Sequence, residues 1–204
     1  MEHRNQKPVC PKIFNIGFHK TGTTSLGQFM REYNYRVLHN TAYSMERLHL
    51  GSQDEYGEED GKAVDIASLV DPVLLDRLVQ EFDFFSDNPW PLLYRYLDES
   101  YPGSRFILTR RNVDAWINSL LTYVGTEITL MRKLIYGYGN PRNHITRYRK
   151  VYIKHNNDVI EYFRNRDDLL VIDIESDDLL IAASLRKFLG LEIRDVEFPT
   201  ANKR

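Results

Sequence analysis

The sequence predicts an α/β domain, with a central parallel sheet of about five strands between two layers of helices. Three observations carry this reading. Short apolar runs recur along the chain, and helical patterns with one apolar face alternate with them. Such alternation requires crossover connections, which are right-handed and make neighbouring strands parallel. The length, 204 residues with 42% hydrophobic content, supplies one full-sized core, so residues 1–204 read as a single domain.

The elements follow in order. "KIFNIG" (Lys12–Gly17) is a first strand ending in glycine. The helix behind it places Leu26, Phe29, Met30 and Tyr33 at i, i+3, i+4 and i+7, one buried face. "YRVLHN" is a second strand. "VDPVLLDRLVQEF" opens a helix with Asp71 as N-cap and Pro72 at the first helical position. "FDFFSD" is the third strand, and Pro91–Ser100 a short helix. "RFILTRR" is a strongly apolar fourth strand. Its following helix carries Val113, Trp116, Ile117, Leu120 and Val124 on one side. A long helical pattern covers about Ile145 to Arg164. "LLVIDI" is the last strand, and "LLIAASLRKFLG" the last helix, stopped by Gly190. The acidic stretch Ser52–Lys62 reads as a solvated insertion, and no internal repeat is present.

Composition narrows the function. Charge is nearly balanced, 27 basic against 29 acidic residues, net −2, so no nucleic-acid or general polyanion binding is expected. Any anion site must be a local cluster. The single cysteine, Cys10, excludes an intramolecular disulfide framework. The polar N-terminus lacks the apolar core of a signal peptide, and no run approaches the roughly 20 apolar residues of a membrane span. A soluble, cytoplasmic protein is the expectation. The six histidines show no metal-ligand spacing, so no metal is expected. Oligomeric state cannot be read.

The stretch "IFNIGFHKTGTTSLGQFM" holds the chemistry. Strand, glycine- and threonine-rich turn and helix are the layout of a P-loop-type domain. A Walker A loop, however, has its lysine directly after the second glycine. Here Gly17 and Gly22 have that spacing, but Thr23 follows and Lys20 comes two residues earlier. The backbone can still wrap an anion, because the N–H groups and dipole at a helix start favour negative charge. Thr21, Thr23, Thr24 and Ser25 add four hydroxyls. The alternative is a plain strand–helix turn with a threonine N-cap.

"GFHKTGTTSL" resembles the 5′-phosphosulfate loop of sulfotransferases, which use 3′-phosphoadenosine 5′-phosphosulfate (PAPS). "RFILTRRNVDAWINS" adds the family's second element, an arginine after a core strand and a serine eight residues on. Arg111 and Ser119 have that spacing. The helical azimuth keeps Ser119 off the apolar stripe of Val113, Trp116 and Leu120. "YPGSRFILTRRNVDAWINS" and "LRKFLGLEIRDVEFPTANKR" are similar to a short sulfotransferase branch. The resemblance implies a PAPS donor, PAP as desulfated product and no metal. It implies donor binding by His19, Lys20, Thr21, Gly22, Thr23, Thr24 and Ser25, and a 3′-phosphate grip by Arg111 and Ser119. Two family features are missing: the tryptophan after the double threonine, where Ser25 and Leu26 stand, and the "RKGxxGDWK" segment. Lys203 and Arg204 either substitute for the latter or form a solvated tail.

For catalysis, Lys20 is the candidate to neutralise charge building on the transferred group. Asp87 in "FFSDNPWP" occupies the family's base position. It reads equally as a helix N-cap before Pro89 and Pro91. His19 is a second base candidate or a packed histidine, and Trp90 a substrate platform or a core residue. The acceptor is expected to be a small molecule or carbohydrate. Its wall is expected between Ser119 and Lys150, where Arg132, Lys133, Arg142, Arg147 and Arg149 would attract an acidic acceptor or line a solvated face. Two rivals remain open: a P-loop kinase or NTPase with Asp173 as its Walker B carboxylate, and an inert PAP-binding module.

Overall fold

A computed structural model describes residues 11–51, 61–124 and 128–199. Five parallel strands form one sheet in the order β2-β3-β1-β4-β5: β1 (Ile13–Asn15), β2 (Val37–Leu38), β3 (Phe84–Phe85), β4 (Arg105–Arg110) and β5 (Leu169–Asp173). β1, β3 and the middle of β4 are buried on both faces, while the edge strand β5 is partly exposed, and period-2 alternation divides the side chains between two cores. Phe14 pairs in register with Phe85 on one side and Phe106 on the other, and all three enter one core. Their neighbours Ile13, Phe84 and Ile107 enter the opposite one.

Helices close both layers. The second core is covered by α1 (Thr23–Glu32) through Leu26, Phe29 and Met30, and by α8 (Asp178–Leu189) through Ile181, Ala182 and Leu185. The first core takes α3 (Pro72–Glu81), α4 (Tyr94–Ser100), α5 (Val113–Tyr123), α6 (Leu130–Tyr136) and α7 (Ile145–Tyr162). Asp71 caps α3 by accepting from Val73 N, with Pro72 at its first position, as the sequence signals. Gly190 ends α8. Trp90 is fully buried, its ring 4.7 Å from that of Phe85, so it belongs to the core and not to a substrate platform.

The structure also differs from the sequence reading. The second strand shrinks to two residues. The short fourth helix begins at Tyr94, after a 3-10 turn over Trp90–Leu92. Two unforeseen short helices appear: α2 (Thr41–Arg47), capped by Asn40, and α6, capped by Thr129. Most of the acidic stretch, residues 52–60, lies outside the described residues, as do Cys10, Lys203 and Arg204.

The strand order fixes where a ligand can go. From β1 the chain moves to one side of the sheet for β2 and β3, then crosses to β4 and β5 on the other. Parallel sheets bind ligands at such a reversal, beyond the C-terminal strand ends. The loop after β1 stands there.

Candidate active site

The loop is held by contacts on the side away from the cavity that it lines. Ile16 N donates to Ile107 O at 2.8 Å, and His155 Nε2 donates to Ile16 O at 2.8 Å. Burial pushes the His155 pKa down to about 4, so the ring is neutral there. Gly17 packs against β4 so closely that an added Cβ would lie 2.2 Å from both Thr109 O and Thr109 Oγ1. Phe18 stacks on His155 at 4.2 Å, and Trp116 Nε1 donates to His19 O at 2.9 Å. Lys20 takes a left-handed backbone (φ 67), as does Gly22 (φ 80), the N-cap of α1. No side chain caps α1, which overturns the threonine N-cap reading. An uncapped helix start combines unsatisfied N–H donors with the positive end of the dipole.

One cavity of about 940 Å³ opens above this loop. His19, Lys20, Gly22, Thr23, Thr24 and Ser25 line it, together with Asp87, Arg111 and Ser119 from three other segments. Thr21 is the exception. It is fully buried, and its hydroxyl donates to Phe18 O at 2.5 Å and lies 2.8 Å from Thr109 Oγ1. Thr109 Oγ1 donates to Asn15 Oδ1 at 3.1 Å and Asn15 Nδ2 to Ser86 Oγ at 3.0 Å, a polar network beneath the loop. Thr21 therefore shapes the turn from below, and its side chain is withdrawn from any ligand.

Asp87 follows β3 with a left-handed backbone (φ 71). Neither the 3-10 turn at Trp90–Leu92 nor α4 has a side-chain cap, so Asp87 is not the helix cap that the prolines had signalled. Its Oδ1 is buried and has no hydrogen-bond partner among the described residues. Its charge reaches the neighbouring bases. Burial lowers the Lys20 pKa, with Asp87 opposing and Arg111 adding to the fall. Burial likewise pushes His19 down to about 4, against the pull of Asp87. The His19 ring is wedged between Asn88 Nδ2, 3.1 Å from Nδ1, and Tyr136 OH, 3.5 Å from Nε2. These contacts hold the ring at the cavity wall. Lys20 Nζ lies 3.9 Å from the centre of the Tyr123 ring, a cation–π contact.

Arg111 stands between β4 and α5. Tyr152 OH clasps its backbone, accepting from Arg111 N at 3.0 Å and donating to Arg111 O at 3.0 Å. Asn112 caps α5 by accepting from Asp114 N and Ala115 N, so the helix starts where the spacing argument placed it. Ser119, two turns on, reaches the same cavity. The guanidinium lies 3.5 Å from Glu175 Oε1, a loose pair that leaves most of its donors for other partners.

Beyond Ser119 the cavity wall continues through Leu120, Tyr123, Val124, Met131 and Arg132. Of the basic residues noted between Ser119 and Lys150, Arg132 lines the cavity. Arg142 instead holds the carbonyls of Leu121 and Val124, Arg147 that of Tyr136, and Arg149 pairs with Asp114. Sequence reasoning missed His39 after β2, Ile174 and Glu175 after β5, and Phe198 and Pro199 near the end of the described chain, all of which line the cavity. For His39, Ile174 and Glu175 the one sequence signal was position just beyond a strand, where parallel sheets build sites; Phe198 and Pro199 follow α8 and carry no such signal. Asp173 accepts from Glu175 N at 3.1 Å and is not among the lining residues, which weakens the Walker B analogy. No cluster of three or more His, Cys, Asp or Glu suited to a metal occurs among the described residues. None of the described helices is long and apolar enough to cross a membrane.

Comparison with known proteins bears on the fold and the family. The solved sulfotransferase from Alicyclobacillus acidocaldarius shares the fold at a TM-score of 0.55 and 18% identity, over 96% of this chain and 87% of that one. Shikimate kinase from Bacteroides thetaiotaomicron superposes with the same TM-score at 15% identity, over 89% and 99%. These likenesses speak to the fold alone. A curated relative, Ava biosynthesis cluster protein M of Aspergillus versicolor, is 25% identical over 120 residues. The match spans 58% of this chain and 45% of that relative, under half its length. The family model described as a sulfotransferase domain matches residues 12–143 and 121–204. By that match the chain belongs to the sulfotransferase-domain family.

Proposed function

We propose that the chain transfers a sulfuryl group from PAPS to a hydroxyl or amine of a small-molecule or carbohydrate acceptor, leaving PAP. The observation that carries this reading is the meeting of Arg111 and Ser119 with Lys20 and the loop residues Gly22, Thr23, Thr24 and Ser25 in one cavity. A donor bearing phosphate at both ends of its ribose needs two anion sites on one cleft. An ordinary adenine nucleotide needs one.

The residues present fit such a donor. The uncapped start of α1 and the hydroxyls of Thr23 and Thr24 face the 5′ anion, and the Arg111 fork suits a phosphate by bonding two oxygens at once. Bound PAPS supplies an activated sulfuryl group. The chain's own tasks are alignment and charge neutralisation, the terms that dominate related phosphoryl transfers. Lys20 carries a movable positive charge at the cavity wall, at rest on the Tyr123 face. Its left-handed backbone is strained for a side-chain-bearing residue, a condition that collects at functional sites. Asp87 takes the proton of the acceptor nucleophile as the new bond forms.

A screen of alcohols, sugars, phenols and amines with labelled PAPS tests the proposal. Transfer by the wild type is expected. Asp87→Asn should lose about 100- to 10,000-fold in turnover while PAP affinity holds. Lys20→Ala should lose more turnover than PAP affinity, because the charge it meets develops in the transition state. Full turnover by Asp87→Asn would remove the carboxylate from the mechanism.

A further inference from the structure

His39 follows β2 and borders the cavity beside Thr24. Its two ring nitrogens have different surroundings. Nε2 lies 3.3 Å from Thr24 Oγ1. Nδ1 is buried, closed off from the cavity, with no hydrogen-bond partner among the described residues. A neutral imidazole has one donor and one acceptor nitrogen, so the tautomer decides what the threonine hydroxyl can do.

With the proton on Nδ1, Thr24 gives its hydrogen to Nε2, and a sealed N–H is left with nothing to donate to. With the proton on Nε2, that N–H donates to Thr24 Oγ1, and the hydroxyl hydrogen turns outward. Two arguments select the second arrangement. Orphaned buried donors are rarer than under-satisfied acceptors, so the lone pair is the cheaper atom to seal. An anion at the start of α1 also draws the Thr24 hydrogen toward itself. Imidazolium would need the same sealed Nδ1–H, in keeping with the burial that lowers the His39 pKa against the pull of Asp87.

We infer that His39 is a positioning residue: its Nε2–H fixes the Thr24 hydroxyl so that the hydroxyl donates to the 5′ anion of the bound nucleotide. The nature of that nucleotide rests on the reading under Proposed function; the tautomer does not. His39 does not reach the reacting atoms, because Nδ1 is sealed and Nε2 is engaged. It acts through Thr24, which explains why a half-buried histidine stands on the wall of this cavity.

Two measurements test the inference. In protein carrying ¹⁵N-histidine, long-range proton–nitrogen spectra report the His39 tautomer, assigned with His39→Gln, in buffer and with inorganic pyrophosphate or PAP. The Nε2–H form is expected with anion present; the Nδ1–H form would overturn the proposal. Titrations of PAP and of adenosine 3′-phosphate then isolate the share of the 5′ anion. Thr24→Val and His39→Leu should each lower the ratio of the two affinities about tenfold, the worth of one hydrogen bond to a charged group. The double variant should lose no more than either single one. His39→Gln, whose amide N–H still reaches Thr24, should recover most of the loss. Additive losses, or failure of glutamine to rescue, would mean that His39 does not act through Thr24. If the wild type binds neither nucleotide, the sulfuryl-donor reading fails, and the tautomer seen with pyrophosphate decides the role of His39.

Discussion

Replacing Arg111 with alanine is the perturbation whose consequences the structure defines best. The backbone at this position is clasped by Tyr152 OH through both N and O, so truncation should leave the chain path unchanged. The side chain is 23% exposed and its Nε is buried without a partner among the described residues, so the terminal amino groups carry the contacts. One of them meets Glu175 at 3.5 Å. The Glu175 side chain is 41% exposed, so water replaces the lost partner and stability changes little. On the proposed assignment, what disappears is a charged donor toward the 3′-phosphate, worth about 1.5–3 kcal/mol, or roughly 10- to 150-fold in affinity. Calorimetric titration of PAP should show that loss, while adenosine 5′-phosphate binds as before. Ser119→Ala should show the same selectivity on a smaller scale. Equal weakening of both ligands by Arg111→Ala would place the residue at the 5′ end or in the fold, and the 3′-phosphate assignment would be wrong.

Two further outcomes follow from packing and burial. Gly17→Ala should lower stability by about 3 kcal/mol, the upper end of the cost of overpacking, because its Cβ would lie 2.2 Å from a backbone oxygen of the central strand β4; an unchanged urea midpoint would contradict this. His155, at about 4 in the fold against 6.5 when unfolded, binds fewer protons in the native state. Its contribution is complete above pH 6.5 and falls away as pH drops toward 4, by about 3 kcal/mol. His19 titrates in the same window and the same direction. His155→Gln, whose amide can still donate to Ile16 O, should therefore lose less stability between pH 6.5 and 4 than the wild type. An equal loss would show that His155 is not the group being charged.

The elements legible in the sequence were those with long periodic faces or explicit caps. The α3 start was written by Asp71 and Pro72, and α7 by an apolar stripe through Tyr148, Tyr152 and Val159. By contrast, α2 buries little beyond Ser44, so it leaves no periodic trace. For α6, Thr129 and Gly137 were usable end signals, but seven residues are too few for a stripe to stand out. Within the site, spacing located the loop, Arg111 and Ser119, because local geometry follows from position along a strand and helix. Direction did not follow. Nothing in "HKTGTTS" tells that the Thr21 hydroxyl turns down to Thr109 while Thr24 turns to His39. Contacts made by residues distant in the chain, such as Ile174 and Phe198, exist only once the sheet is assembled.

The central claim is that this cavity holds a nucleotide with a phosphate at the 3′ position, and a thermal melt tests it most directly. A ligand that binds only the native state adds RT ln(1 + [L]/Kd), about 2.7 kcal/mol at a hundredfold excess over Kd. For a chain of 204 residues that is a rise of about 5–10 °C in melting temperature. PAP should produce this rise, and ATP with Mg²⁺ at the same concentration should produce far less. A larger shift with ATP and Mg²⁺ than with PAP would contradict the account and return the loop to the kinases.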